Sequence, residues 1–312
     1  MGMRVTSNML TNNLLANLNN NANSVARYQQ QLASGRSIVN LSDDPVGVYK
    51  SMRARVKIAR LEQYKENVVA ARTWINEAET IAREVNSVLT KAYELTVQAS
   101  SDTYTDGEGT ARGAIAREIE QLRNHIFDAM NSRELERYIF GGFNTTSAPF
   151  TLDVNGEIMF NGVLMNAPFT GSDERVEFET GAGIRMDVTV SGVTMMGLDG
   201  DNMYTVLTEL MNELDDPDSR AGDISPFITR IKDLAENVLN IATELGAKMN
   251  RLDFLEARYD EDIVTYTDVK SRVEDVDEAE AAMRYKMAET IYQAALQTGA
   301  GMLRMSLLDY LN

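Results

Sequence analysis

Apolar side chains recur on a seven-residue period in two distant stretches of the chain, and that pattern predicts most of the architecture. From Leu61 onward, Leu61, Val68, Ile75, Ala82, Leu89 and Thr96 fall at position a, and Tyr64, Ala71, Ala78, Val85, Ala92 and Ala99 at d; eleven of these twelve are apolar. A seam kept up for so many turns predicts a long coiled-coil-like helix. Asp44-Pro45 starts it, because the carboxylate can cap free backbone N–H groups and proline fits the first turn. A second helix is expected after a turn at Asp106-Gly107, with Ile115, Ile119, Leu122, Ile126 and Ala129 on one face, folding back antiparallel on the first. A third is expected from Ser225-Pro226, with Ile231, Val238, Leu245, Leu252, Tyr259, Tyr266 and Val273 at a. Two matching seams from opposite halves of the sequence are most simply used in one bundle.

Between Phe143 and Gly200 the pattern changes. Glycines cluster, and short runs such as Arg175 to Phe178 and Met186 to Val190 alternate apolar and polar residues, which is the signature of antiparallel strands joined by tight turns. The expected fold is mainly α: a long antiparallel coiled-coil-like helical bundle from both chain halves with a small inserted antiparallel β domain. The two ends differ from the rest. In the first 35 residues Arg4 and Arg27 are the only charges and eight residues are asparagine, yet Leu14, Leu18, Ala22, Val25 and Leu32 share a helical face. Residues 292–312 carry only Arg304 and Asp309 as charges. Such helices are weak alone and gain order by packing on something else. The expected division is therefore 1–40 and 277–312 as terminal helical segments, disordered in the monomer and ordered on assembly; 41–142 and 201–276 as the bundle; and 143–200 as the β insertion. The expected assembly interface sets Leu10, Leu14, Leu18, Val25 and Leu32 against Met287, Ile291, Ala294, Leu303 and Leu307.

Composition removes most chemistry. The 312 residues include no cysteine and one histidine, so disulfides, thiolate nucleophiles and cysteine-zinc sites are excluded, and a histidine triad cannot be built within one chain. With 47 acidic against 30 basic residues the net charge is −17, which argues against nucleic acid or an acidic membrane surface as a partner. No run of apolar residues is long enough to insert in a membrane, and the N-terminus lacks the pattern of a cleaved signal peptide. The acidic runs Asp260 to Asp262 and Glu274 to Glu280 lie on or beside the third helix, outside any expected pocket, and read as solvated faces rather than an acid-base pair. Gly181 and Gly183 lack the third glycine of a dinucleotide loop. His125 can face Asp128 on its own helix, but no nucleophile accompanies them. No catalytic, cofactor-binding or metal-ligating residue is assigned, and no active site can be drawn.

The segment Gln31-Leu32-Ala33-Ser34-Gly35-Arg36, followed by Leu41-Ser42-Asp43-Asp44-Pro45, resembles the shared motif of the axial proteins of the bacterial flagellum, flagellin and its relatives. Flagellins usually carry Asp-Asp-Ala-Ala-Gly where this chain has Asp43-Asp44-Pro45-Val46-Gly47, and the proline version is similar to the branch of that family that joins hook to filament. Arg137-Tyr138-Ile139-Phe140-Gly141-Gly142-Phe143, then Ala148-Pro149-Phe150, resembles that branch's link from bundle to β domain. Val273 to Asp277 and Ser306 to Leu311 extend the likeness. The resemblance implies a flagellin-like fold without cofactor and a junction subunit needed for motility. It also implies self-association as a ring, hook-associated protein type 1 on the hook side, flagellin on the other, and an export chaperone on the C-terminal segment. The implied location is the extracellular flagellum, reached by type III export without a cleaved signal. Two alternatives stand beside this reading: a flagellin filament subunit and, from a different class, a secreted coiled-coil adhesin or effector with the β insertion as its head.

Overall fold

Proline and carboxylate caps set where the long helices begin. In the computed structural model, which describes residues 7–101, 111–165, 175–198 and 200–311, helix α1 spans Ser7–Ser34, α2 Pro45–Ala99 and α3 Ala111–Met130. Strands follow at β1 Arg133–Glu134, β2 Arg137–Tyr138, β3 Phe150–Leu152, β4 Ile158–Phe160, β5 Val163–Leu164, β6 Glu177–Gly181 and β7 Ile184–Asp187. Helices α4 Gly192–Met196, α5 Met203–Asp215, α6 Ala221–Glu274 and α7 Glu278–Leu311 complete the chain. The turn expected at Asp106-Gly107 lies outside the described residues. Two compact units result, residues 1–61 with 261–312 and residues 62–260.

In the 62–260 unit the heptad seam is the core. Every a and d residue named above from Val68 to Ala99 is buried, and the one polar member, Thr96, satisfies its hydroxyl by donating to the Ala92 carbonyl at 2.7 Å. On α6, Ile231, Val238, Leu245, Leu252 and Tyr259 are buried at the same period. Side-chain pairs fix the directions. Lys91 lies 3.9 Å from Glu118, and Glu84 lies 2.8 Å from His125, so α2 and α3 run antiparallel. Arg72 meets Asp253 and Glu256 while Lys65 meets Asp260, which makes α2 and α6 antiparallel as well. Phe127 packs on Tyr204 and Arg123 reaches Thr208, tying α3 to α5. The lone histidine thus pairs with a carboxylate on a neighbouring helix.

Helix α6 begins one turn before the expected Ser225-Pro226 start. The Asp223 carboxylate accepts from the Arg220 N–H at 3.1 Å while the Asp223 N–H donates to the Arg220 carbonyl at 2.9 Å, so this pair caps the helix first. Pro226 then sits inside the helix, where it removes one backbone hydrogen bond.

The strands form three small antiparallel sheets, β1-β2, β3-β4-β5 and β6-β7. Phe150 pairs with Phe160 across β3 and β4, their rings 5.2 Å apart. The last sheet is stitched to the helices of its unit: the Tyr259 hydroxyl donates to the Thr180 carbonyl, and the Asn67 amide donates to the Glu179 carbonyl at 2.8 Å. Strand β7 stops at Asp187, before the expected Val190, because Asp187 turns to accept from the Thr189 N–H at 3.1 Å. The β1-β2 turn places Leu135 at φ 45° and Glu136 at φ 66°, a left-handed pair that a two-residue hairpin needs and that Asn-Gly adopts without strain. Replacing Leu135-Glu136 by Asn-Gly is expected to stabilise the protein by about 1–2 kcal/mol, read as a higher urea midpoint with unchanged slope.

Candidate functional site

In the unit formed by residues 1–61 and 261–312, the α1–α2 connection is built around Glu274. The Ser37 N–H donates to the Glu274 carbonyl at 2.7 Å, the Val276 N–H to the Gly35 carbonyl at 3.0 Å, and the Ser37 hydroxyl to the Val273 carbonyl at 3.1 Å. The Glu274 carboxylate accepts from the Ser51 hydroxyl and the Arg55 guanidinium. Burial pushes this carboxyl up, but the Ser51 and Arg55 donors, with Arg36 nearby, outweigh it and hold it below its ordinary value. A depressed carboxyl stabilises the clasp at neutral pH and loses that contribution as pH falls through the lowered value. The protection factors of the Ser37 and Val276 amides, which divide out the intrinsic pH dependence of exchange, are therefore expected to fall at acid pH, and Glu274→Gln to lower them about tenfold at neutral pH while removing the acid response.

The first motif explains itself in this clasp. Asp43 accepts from the Asn40 N–H at 2.9 Å and holds the loop, while Asp44 caps α2 by accepting from the Val46 N–H at 3.1 Å. Pro45 takes the first helical position, and Ser42 is exposed beside it. A Cβ at residue 47 would lie 2.4 Å from the Asp44 carboxylate and 2.7 Å from the Ile38 side chain, so both side chains would have to shift to admit one.

Helices α1 and α7 pack together antiparallel, Leu14 at Gly299 and Gly35 at Val276. The covered stripe of α7 is Ala281, Tyr285, Ala288, Tyr292, Ala295 and Gly299, four small residues and two tyrosines spaced four and three apart. Opposite it, Leu14, Leu18, Val25 and Leu32 are half-buried. The expected partners Met287, Ile291 and Ala294 point elsewhere: Met287 is 62% and Ile291 50% exposed, and Met283 joins them at 64%. The side chains of Leu10, Leu303 and Leu307 lie outside the described residues. Helix α7 is thus apolar on two faces, one covered by α1 and one open, as expected of a helix that meets more than one neighbour.

A further surface lies outside the seven-residue seam. Continued backward from Leu61, the seam keeps Ala54 and Gly47 buried at a, but d becomes Lys57 and Lys50. The apolar residues move to the outer face, where Tyr49, Met52 and Val56 are exposed at 61, 58 and 52%. With Tyr266 and Val269 they line a groove of about 690 Å³ rimmed by Lys50, Arg53, Lys57 and Arg60. Further along α2 the same outer positions read Gln63, Glu66, Ala70, Thr73 and Glu77, so the change was readable as a shift of register.

The second motif lies in the 62–260 unit and is structural. Tyr138, Ile139, Phe140 and Phe150 are buried, and the Arg133 guanidinium stacks on the Tyr138 ring at 4.3 Å. Asn131, at the end of α3, donates to and accepts from the Phe150 backbone at 3.1 Å, which anchors β3. Pro149 contributes the carbonyl that accepts from Asn161 N–H at 2.8 Å, and Gly142 turns the chain at φ 65°. Among the described residues no group of three or more carboxylate or histidine side chains could hold a metal ion, and no helix is long and apolar enough to cross a membrane.

A helical bundle with strands between its halves, and paired N- and C-terminal helices that leave an apolar face of α7 open, define the class as a long-helix protein with an inserted β region. The chain matches the family model of the bacterial flagellin N-terminal helical region over residues 5–141 and that of the bacterial flagellin C-terminal helical region over residues 228–311, and it belongs to the bacterial flagellin family. Within that family it is similar to flagellar hook-associated protein 3 of Escherichia coli K12, at 25% identity over 98% of this chain and 99% of that protein. Its fold is shared by a putative flagellar hook-associated protein from Vibrio parahaemolyticus, at 21% identity and a TM-score of 0.66, covering 75% of this chain and all of that one. The flagellar junction protein FlgL of Legionella pneumophila has the same fold, at 14% identity and a TM-score of 0.58, covering 74% of this chain and 100% of that one.

Proposed function

We propose that this chain is a structural subunit of the bacterial flagellar axis that joins the hook side to the filament. The observation that carries the proposal is the α1–α7 pair, whose second apolar face on α7 is open in the single chain. Such a face is buried only by neighbours. Burial returns about 25 cal/mol per Å² against about 1–2 kcal/mol per ordered residue, so many contacts are needed to hold the termini in place. In this reading residues 1–40 and 277–312 gain their order on assembly, with Leu14, Leu18, Val25 and Leu32 inward and Met287, Ile291 and Ala294 completing the contact to other subunits. Copies form a ring; hook-associated protein type 1 lies on one side and flagellin on the other. The C-terminal segment is covered by an export chaperone beforehand, and the chain reaches the extracellular flagellum by type III export. The full-length similarity to a hook-associated protein and the Pro45 form of the N-terminal motif support the junction over a filament role.

Deleting the gene tests this. The expected result is loss of motility with flagellin released into the medium and hooks left bare. Motile cells with attached filaments would overturn it. A filament subunit, the second reading that the flagellin family models allow, predicts long polymers when the purified chain is seeded, whereas a junction subunit stops at a thin ring.

A further inference from the structure

The groove on the outer face of α2 has a chemistry that names its partner. Its floor is apolar, from Tyr49, Met52, Val56 and Tyr266, and its rim is cationic. Lys50, Arg53, Lys57 and Arg60 recur at intervals of three and four residues, so they form one stripe along the helix. All four are exposed, and none is ion-paired to a carboxylate among the described residues. Arg53 lies over the Tyr49 ring at 5.7 Å and Lys57 over the Tyr266 ring at 5.9 Å, which sets the cations against the apolar floor. An exposed apolar strip edged with unpaired cations fits an acidic surface that also presents apolar contacts.

The chain carries such a surface itself. Its charge is unevenly divided: residues 1–61 hold eight basic and two acidic side chains, while residues 62–260 hold thirty-five acidic and seventeen basic ones, a net charge of −18. The 62–260 unit also exposes Phe254 and Leu239 on α6. We propose that the groove of one copy receives the acidic 62–260 unit of a neighbouring copy of this chain. The two surfaces are different patches, so the contact is heterologous and adds copies head to tail, closing as a ring or continuing as a helix, rather than ending at a twofold dimer. This inference rests on the axial-assembly reading above and specifies which surfaces make the subunit-to-subunit contact.

The test uses the full-length protein in flagellated cells, with a photo-crosslinking benzophenone amino acid in place of Tyr49. The expected product is an adduct of two copies, with the crosslinked peptide in residues 62–260. Arg53→Glu combined with Lys57→Glu is expected to cut that adduct about tenfold or more, as loss of charge complementarity does, with the melting curve of the purified variant unchanged because both side chains are exposed. Adducts only to other flagellar proteins, adducts only within residues 1–61 or 261–312, or an adduct yield indifferent to the charge reversal would each overturn the inference while leaving the junction role intact. Absence of the chain from isolated hook-filament structures would overturn both.

Discussion

Phe140→Ala is expected to cost about 3–5 kcal/mol of stability, the usual price for emptying a large aromatic site in a core. Phe140 is fully buried in the link between bundle and strands. Its surroundings cannot close in easily: a Cβ on Gly192 would lie 2.6 Å from the Phe140 carbonyl and 3.0 Å from the Phe160 ring, so backbone already abuts the site. Denaturant unfolding should show the midpoint fall. Phe143→Ala, three residues on and 62% exposed, supplies the control and should stay within about 0.5 kcal/mol of the parent. Equal effects from the two would mean that the link is not packed as described.

Gly141→Ala carries the second large effect, and its cause is backbone against backbone. A Cβ there would sit 2.2 Å from the Asn144 carbonyl oxygen. That turn is fixed by the Asn144 N–H donating to the Gly141 carbonyl at 3.2 Å and by the Asn161 amide donating to the same carbonyl at 3.3 Å, so no side-chain rotation relieves the clash. Destabilisation of at least about 1–3 kcal/mol is expected, read in the same unfolding experiment. Gly246→Ala should act in the opposite direction. It lies within α6 with nothing inside 4 Å of the added methyl, and replacing a mid-helix glycine by alanine stabilises by about 0.5–1 kcal/mol.

Much of the architecture was legible because the seam is long and regular. Ten successive a and d residues from Val68 to Ala99 are buried as their spacing requires, and the bundle draws on both chain halves. Local exceptions followed competing local chemistry. The Arg220–Asp223 pair captured the start of α6 ahead of Ser225-Pro226, and the β1-β2 turn formed on Leu135-Glu136, which carries none of the usual glycine or asparagine signal. The terminal pair was the hardest to read, since α7 carries apolar residues on two faces: the expectation named the Met287–Ala294 face, whereas α1 covers the Ala281–Gly299 stripe. The groove was hidden for another reason. A whole-chain charge of −17 conceals a basic N-terminal stretch, and cations at d positions look like a seam ending rather than a second surface beginning.

The methionines on the open faces have a consequence for the lifetime of the free subunit. Met52, Met283 and Met287 present their thioethers to solvent, whereas Met195, Met196 and Met203 are sealed inside the 62–260 unit. Peroxide converts an accessible thioether into a polar sulfoxide, which weakens any apolar contact it was meant to make. In the proposed assembly these three thioethers face neighbouring copies, so their sulfoxide content is expected to be lower in incorporated protein than in protein left free.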